Sequence, residues 1–224
     1  MDWQAIWLSV RLAVSTTFIL LALGLPLAYW ITFSRWRWKF LVEAVVALPL
    51  VLPPTVLGFY VLLAIGPRSP AGALYERISG SILPFSFQGL LVASVLYSLP
   101  FMVQPVAAGF AAVDRRLLEA SWCLGVSYLS TFRRVLAPLA MPGIATGAIL
   151  SFAHTMGEFG VVLMVGGNIA GVTRTVSISI YDQVQALDYA AAGETSLVLL
   201  GLSFAVLALT HALQRRIWAV WPLS

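Results

Sequence analysis

Long stretches without a charged side chain limit what this chain can fold into. Four such runs cover residues 12–33, 44–66, 88–113 and 195–214. A helix needs about 20 mostly apolar residues to cross the hydrocarbon core of a bilayer. Hydrophobic residues make up 60% of the chain and charged residues only 10%, which leaves too little polar surface to cover a soluble core. The sequence therefore predicts an all-α integral membrane protein.

A fifth apolar run lies between Arg134 and Glu158. The chain is therefore expected to be a single transmembrane domain, 1–224, with five helices at about residues 10–33, 42–66, 88–110, 139–158 and 194–214. The run at 159–173 is too short to cross a bilayer and contains Gly166-Gly167-Asn168, so we interpret it as a re-entrant or interfacial segment. No signal-peptidase site closes the first run, and we expect it to be retained as a span.

The basic residues give the orientation of these spans. Loops on the cytoplasmic side of a membrane protein carry an excess of Lys and Arg. Threading five spans in order puts four arginines on one side and nine basic residues on the other, namely Arg35, Arg37, Lys39, Arg115, Arg116, Arg133, Arg134, Arg215 and Arg216. The N-terminus is therefore predicted outside, with the C-terminus and the loop at about 114–137 in the cytoplasm.

Cofactor chemistry has little support in the sequence. Cys123 is the only cysteine, so the chain can form neither an internal disulfide nor a thiolate metal cluster. His154 and His211 are far apart in sequence and lack the spacing of metal ligands, so we interpret them as structural. We expect no metal and no cofactor.

The loop at 114–137 carries the start and stop signals of two short helices. Asp114 can cap a helix over residues 115–124, and Gly125 can end it in the left-handed conformation. Ser127 can cap a second helix, in which Leu129, Phe132 and Leu136 would form one apolar stripe before Pro138 forces a new direction.

Two short helices joined at a glycine form a compact knob that can enter a groove on a soluble partner. Glu119 offers one charge there to fix the register of the contact. The residue types alone also allow a plain solvated helical hairpin.

The order of residues in this loop resembles the cytoplasmic coupling loop of ABC-importer permeases. The matching positions are Glu119, Ala120, Ser121, Gly125, Phe132, Arg133, Arg134, Pro138, Pro142 and Gly143. Ser121 stands where a second alanine is usual, and Ala137 where a leucine is usual before the proline.

The resemblance extends over nearly the full chain to the molybdate-importer permease subunits. It is carried by Leu48-Pro49-Leu50-Val51-Leu52-Pro53-Pro54-Thr55-Val56-Leu57-Gly58, by Gly157-Glu158-Phe159-Gly160, and by Asn168 and Thr173-Arg174-Thr175.

This resemblance implies a helical subunit of a bacterial or archaeal inner membrane that pairs with a second copy around a central pore. Two ATP-binding subunits would sit on it, and an extracytoplasmic oxyanion-binding protein would deliver the substrate. The residues implied in coupling to the ATPase are Glu119, Ala120, Ser121, Gly125 and Phe132. Lys39, the only lysine, lies between Trp38 and Phe40, so the chain has no phosphate-binding loop and is not itself an ATPase.

Pore or hinge candidates come from residues that interrupt the spans. Pro49, Pro53 and Pro54 remove backbone donors, which fits either a pore wall or a packed kink. Other candidates are Gly157, Glu158 and Gly160, where Glu158 is expected near the outer surface, and Arg174, which would attract an anion at the outer mouth or simply face solvent.

Small residues recur at Gly143, Gly147 and Ser151. A four-residue spacing of small side chains lets another helix approach closely, and that helix could belong to a second copy.

Other transport classes remain open at this point. A sulfate or thiosulfate permease would share the coupling loop and a similar dianion, and molybdate cannot be separated from tungstate. A self-contained secondary transporter is disfavoured because five spans do not divide into equal repeats and no span carries a carboxylate pair. A membrane-embedded enzyme would need a paired nucleophile and base or a metal cluster, which the sequence does not offer.

Overall fold

The computed structural model describes residues 2–220, except for the side chains of residues 209–211 and 213–220. Within that part of the chain every regular element is helical, which confirms the predicted fold class. The helices are α1 (Trp3–Phe33), α2 (Lys39–Val51), α3 (Pro54–Ile65), α4 (Pro70–Ser79), α5 (Phe87–Ala111), α6 (Arg115–Cys123), α7 (Tyr128–Thr131), a π-helical turn (Phe132–Leu136), α8 (Ala137–Leu139), α9 (Met141–Met156), α10 (Gly160–Gly166), α11 (Val176–Gln185) and α12 (Tyr189–Val220).

Three helices are long and apolar enough to cross a membrane alone: α1, α5 and the part of α12 at Tyr189–Ala208. Two bent pairs also pass, α2 with α3 at 116° and Tyr128–Leu139 with α9 at 73°. The number of spans is therefore three, or up to five if each bent pair is one span. The five-span count and its boundaries stay a prediction.

The expected second span is not one straight helix. It breaks after Leu52, whose backbone is extended at φ −70° and ψ 137°. Pro53 and Pro54 follow, and a residue before proline is driven out of the helical region while proline itself has no N–H to donate. Pro54 then starts α3, a position that suits proline because the first helical N–H groups have no partner within the helix.

We expected the chain to change direction at Pro138. In the structure it changes direction at Ala140. Pro138 lies within the continuous helical stretch Tyr128–Leu139, directly after the π-helical turn, and does not interrupt it. Ala140 leaves the helical geometry at φ −88° and ψ 4°, and Pro142 lies in the first turn of α9. The bend therefore lies at the helix boundary directly before Pro142.

The largest part of the core lies between α1, α5 and α9. Its fully buried side chains include Leu20 from α1 and Met102, Val103 and Phe110 from α5. Burial of such side chains is worth roughly 1.5–3 kcal/mol each in water, and in lipid the same contacts act through packing.

Glycines bring α5 and α9 into backbone contact. A Cβ built on Gly143 would lie 2.6 Å from the carbonyl oxygen of Pro105 and 2.9 Å from Gly109 Cα. At Gly147 it would lie 2.9 Å from the carbonyl oxygen of Met102. The predicted close approach is confirmed for the two glycines, and their partner is α5 of the same chain.

The uncharged run at 159–173 forms the seven-residue helix α10 and a turn. Val161, Val162 and Val165 are fully buried, and the surrounding helices are α3 and α5. Seven helical residues are too few to cross a bilayer. The burial fits the re-entrant interpretation and not an exposed interfacial helix.

In contrast, α12 exposes much of its apolar surface. Leu197, Leu200 and Phe204 are each about two-thirds exposed or more, at 69%, 66% and 72%. Such a face suits lipid tails or another membrane subunit.

Substituting Gly143 by alanine should separate α5 from α9, because the new methyl group has no space against the α5 backbone. The expected loss is about 1–3 kcal/mol, the usual cost of overpacking a core. Thermal unfolding in detergent measures the change. Gly201→Ala is the matched control, because no described atom lies within 4 Å of its added Cβ, and it should be neutral or slightly stabilising.

Candidate functional site

The loop between α5 and α9 begins with a capped helix, as predicted. Asp114 accepts a hydrogen bond from the backbone N–H of Arg116 at 2.9 Å. Helix α6 ends at Cys123, and Gly125 has φ +76°, the left-handed conformation that favours glycine. Ser127 caps α7 through a 3.4 Å hydrogen bond from the N–H of Ser130.

The expected apolar stripe of Leu129, Phe132 and Leu136 is wrong. Leu129 is 60% exposed, whereas Leu136 is 1% exposed and belongs to the core. The cause is the π-helical turn after α7, because its wider i→i+5 hydrogen bonding rotates the following side chains off the α-helical register.

Two contacts hold the loop together and join it to the bundle. The hydroxyl oxygens of Ser121 and Thr131 are 2.8 Å apart, which ties α6 to α7. Phe132 places its ring against Tyr29 at 5.9 Å and Phe110 at 6.0 Å between centroids. Sequence reasoning placed Ser121 and Phe132 in the loop but did not find Thr131 or Tyr29 as their partners.

The outer side of the loop is exposed and largely apolar. Glu119 and Ala120 are exposed on α6, and Gly125 is exposed at the junction. Around them lie the exposed side chains of Leu117, Trp122, Leu124, Tyr128 and Leu129, of which Leu124 is 83% exposed. We call residues 115–132 the coupling knob. An apolar cluster of this kind at one end of a protein marks an interaction surface.

Glu158 lies buried between helices of the bundle. It is 4% exposed, and one carboxylate oxygen accepts a 2.7 Å hydrogen bond from the hydroxyl of Ser94 in α5. The other oxygen, Oε1, is buried without a hydrogen-bond partner among the described residues. Helix α9 starts at Met141 and is about 24 Å long at 1.5 Å per residue. The expected position of Glu158 near the outer membrane surface stays a prediction.

The glycines beside Glu158 mark the predicted helix end. Gly157 ends α9 and Gly160 begins α10. A Cβ on Gly160 would lie 2.8 Å from Pro54 Cβ, so the start of α10 contacts the start of α3. The structure thus brings the 157–160 segment to the Pro53–Pro54 break. Pro49 lies apart from this break, buried within α2.

Arg174 is engaged by neighbouring polar groups. Its Nε donates a 2.7 Å hydrogen bond to Asn168 Oδ1 and lies 3.6 Å from Asp182 Oδ2. Asn168 also donates to Asp182 at 2.6 Å. Arg174 and Asp182 border an open cleft of about 540 Å³ at the end of the bundle where α1 begins, which is also lined by Asp2 and Asp188. The ion pair reduces the attraction that Arg174 could exert on an anion.

Comparison with known proteins places these features in a wider group. The molybdenum transport system permease protein ModB of Azotobacter vinelandii is 50% identical over 214 residues, which cover 96% of this chain and 95% of that protein. ModB of Escherichia coli strain K12 is 31% identical over 208 residues, covering 93% of this chain and 90% of that protein.

Among solved structures, a bacterial ABC transporter involved in the import of the acidic polysaccharide alginate contains a similar chain. The TM-score is 0.75 at 15% identity, with 96% of this chain and 79% of that chain covered. At this identity the likeness shows the fold alone. Residues 21–219 match the family described as binding-protein-dependent transport system inner membrane component. The chain belongs to this family and is a multi-pass membrane protein of the ABC-importer permease class.

Proposed function

We propose that the chain is the permease subunit of an ATP-driven importer that takes up molybdate. The observation that carries this proposal is the similarity along almost the whole chain to the Azotobacter permease. Tungstate, which has the same shape and charge, is included. A sulfate or thiosulfate importer is the second candidate, because the coupling loop that this chain resembles is shared with that class.

Uptake of an oxyanion needs an energy source for electrostatic reasons. Moving one charge across 100 mV is worth about 2.3 kcal/mol, so a dianion entering a negative-inside cell meets about twice that cost before any concentration gradient. Hydrolysis of ATP by a partner chain would supply the energy, since this chain has no phosphate-binding loop.

The coupling knob is the proposed contact with the ATP-binding subunit. Its exposed apolar side chains, with Leu124 at the junction, suit insertion into a groove on a soluble partner. Glu119 and Ala120 would face that groove, and Gly125 would set the angle between the two short helices. Ser121 would support this surface by holding α6 to α7. Phe132 would support it by holding the knob to the bundle.

A second copy and an external binding protein complete the proposed assembly. The exposed apolar face of α12 supports a further membrane contact. Two copies around a pore, two ATP-binding subunits and one binding protein are the arrangement that the family resemblance implies.

The proposed orientation keeps the coupling knob in the cytoplasm and the N-terminus outside. Basic residues near the knob share one end of the bundle, where the Arg115 guanidinium lies 5.9 Å from the Phe33 ring and Lys39 donates to the carbonyl of Ile31. Arg11 lies near the other end, over the Phe87 ring at 4.4 Å. The expected excess of positive charge inside supports this orientation. The side chains of Arg215 and Arg216 lie outside the described residues.

Alternating access is proposed to use the interrupted helices as hinges. Closing of the ATPase pair would move the knobs together and turn the spans, opening the pore outward. Gly157, Glu158 and Gly160 would form one hinge and Pro53 and Pro54 the adjoining one, while Pro49 and Arg174 remain candidates for the pore wall and its mouth.

Uptake of molybdenum tests the substrate. Cells without their own uptake system, expressing this chain with its ATPase and binding protein, should accumulate molybdenum saturably in the presence of excess sulfate, as measured by mass spectrometry. Glu119→Ala should reduce uptake because the knob loses its one acidic contact. Glu76→Ala, an exposed glutamate on α4, is the control. Uptake abolished by sulfate would assign the chain to the sulfate class.

Gly125→Val should abolish uptake while leaving insertion into the membrane intact. A β-branched residue at φ +76° costs at least about 1–2 kcal/mol and would change the angle between α6 and α7. Gly80→Val is the matched control, because Gly80 has φ +70° and, like Gly125, no described atom within 4 Å of an added Cβ. Uptake is measured per amount of membrane-inserted protein. Equal uptake by both variants would refute the role of the knob.

A further inference from the structure

A set of buried hydrogen bonds links α5 to α9 in the half of the interface that lies away from the coupling knob. The hydroxyl of Ser94 donates to Glu158 at 2.7 Å. Ser98 Oγ lies 3.0 Å from His154 Nδ1 and 3.0 Å from Thr155 Oγ1. We call these five residues the polar zipper.

The polar zipper is well enclosed. Ser94 and Ser98 are fully buried, and Thr155 is 2% exposed. The imidazole of His154 stacks on Phe101 with ring centroids 3.9 Å apart and also contacts Tyr97 at 4.7 Å. In a low-dielectric interior these bonds are strong, and they fix the position of each side chain.

The spacing shows that the two helices present matching faces. Ser94, Tyr97, Ser98 and Phe101 follow the i, i+3, i+4, i+7 pattern of one helix face on α5. On α9, Ser151, His154 and Thr155 follow the i, i+3, i+4 part of the same pattern, and Glu158 lies just beyond the end of the helix. The pairs run in opposite directions along the two helices, so the bonds set one antiparallel register.

The other half of the same interface contains close contacts between glycines and backbone. There, Gly109 and Gly143 meet through their backbones, and Gly147 lies against the backbone of Met102. Smooth glycine surfaces allow a close approach but fix the register only through van der Waals contact. A slip of one turn, about 5.4 Å, would break every bond of the polar zipper.

We propose that the polar zipper makes α5 and α9 move as one rigid unit, so that displacement of the coupling knob reaches the far end of the bundle. The knob is joined to α5 at its start and, through α8, to α9 at its end. If α9 could slide along α5, displacement of the knob would move one helix past the other and would not reach the far end of the bundle. The inference rests on the proposed function, since it gives the polar zipper a task in the transport cycle.

The position of Glu158 extends the effect beyond α9. Glu158 follows the last turn of α9 and precedes α10, whose Gly160 contacts Pro54 at the start of α3. Motion of the locked pair therefore passes directly to the break between α2 and α3. Ser94, Ser98, His154, Thr155 and Glu158 are positioning residues in this scheme and need not touch the substrate.

The test compares ATP hydrolysis with transport in proteoliposomes that hold this chain, its ATP-binding subunit and the binding protein. Ser94→Ala with Ser98→Ala removes all three hydrogen bonds. Hydrolysis should continue at about the wild-type rate, while molybdenum transported per ATP falls about fivefold or more, the lower end of the usual range for coupling between two sites. Glu158→Gln should keep most of the ratio, because its amide oxygen still accepts from Ser94.

A matched pair of single variants covers the case in which the double variant does not assemble. Thr155→Val removes one bond of the polar zipper, and Thr17→Val makes the same change where the hydroxyl bonds only to Ala13 within α1. The ratio should fall for Thr155→Val and not for Thr17→Val. An unchanged ratio in Thr155→Val and in the Ser94→Ala, Ser98→Ala double variant, or a parallel loss of hydrolysis and transport, would overturn the proposal.

A fluorescence measurement separates this inference from the identity of the substrate. A fluorophore on Val172→Cys, in a Cys123→Ser background, reports on the exposed turn after α10. A non-hydrolysable ATP analogue should change its emission in the otherwise unmodified chain but not with Ser94→Ala and Ser98→Ala. The same response in both would contradict the proposal, even if molybdate were not the substrate.

Discussion

The contact between α5 and α9 is the constraint on which the other features depend. Gly143 approaches Gly109 so closely that Gly143 has no space for a methyl group, and one on Gly109 would lie only 3.1 Å from Gly143 Cα. Because residues 112–140 connect these two helices, this contact fixes both ends of the coupling knob. The knob is consequently a short, tethered structure and not a free loop. Its own contacts, between Ser121 and Thr131 and from Phe132 to Tyr29, then determine which side faces outward.

Helix breaks within a bilayer need covering by other parts of the protein, because their backbone groups must find hydrogen-bond partners there. The break at Pro53 is covered by α10, which packs on α3 through Gly160 beside Pro54. The far end of α10 is satisfied in turn, since the N–H of Phe85 donates to the carbonyl of Val165 at 3.0 Å. Breaks in two parts of the chain thus support each other, and a hinge in one is mechanically connected to the other.

Helix caps and turns could be predicted from the sequence, but contacts between residues far apart in the chain could not. Asp114, Gly125 and Ser127 were assigned correctly because caps and left-handed turns depend on neighbouring residues. The apolar stripe failed because a π-helical turn gives no clear sequence signal, and the burial of Glu158 was not foreseen because its partner, Ser94, lies 64 residues away in the chain. Ser94 was missed, although its four-residue spacing from Ser98 matches that of His154 and Glu158 and could have indicated a paired face.

The coupling knob is proposed as the surface on which the ATP-binding subunit sits. Photo-crosslinking tests this directly, with a photoreactive residue in place of Leu124, which is 83% exposed at the tip of the knob. The same residue in place of Leu197, which is 69% exposed on α12, is the control. The account predicts an adduct with the ATP-binding subunit from position 124 and none from position 197. Its absence from position 124, or equal yields from both, would contradict it.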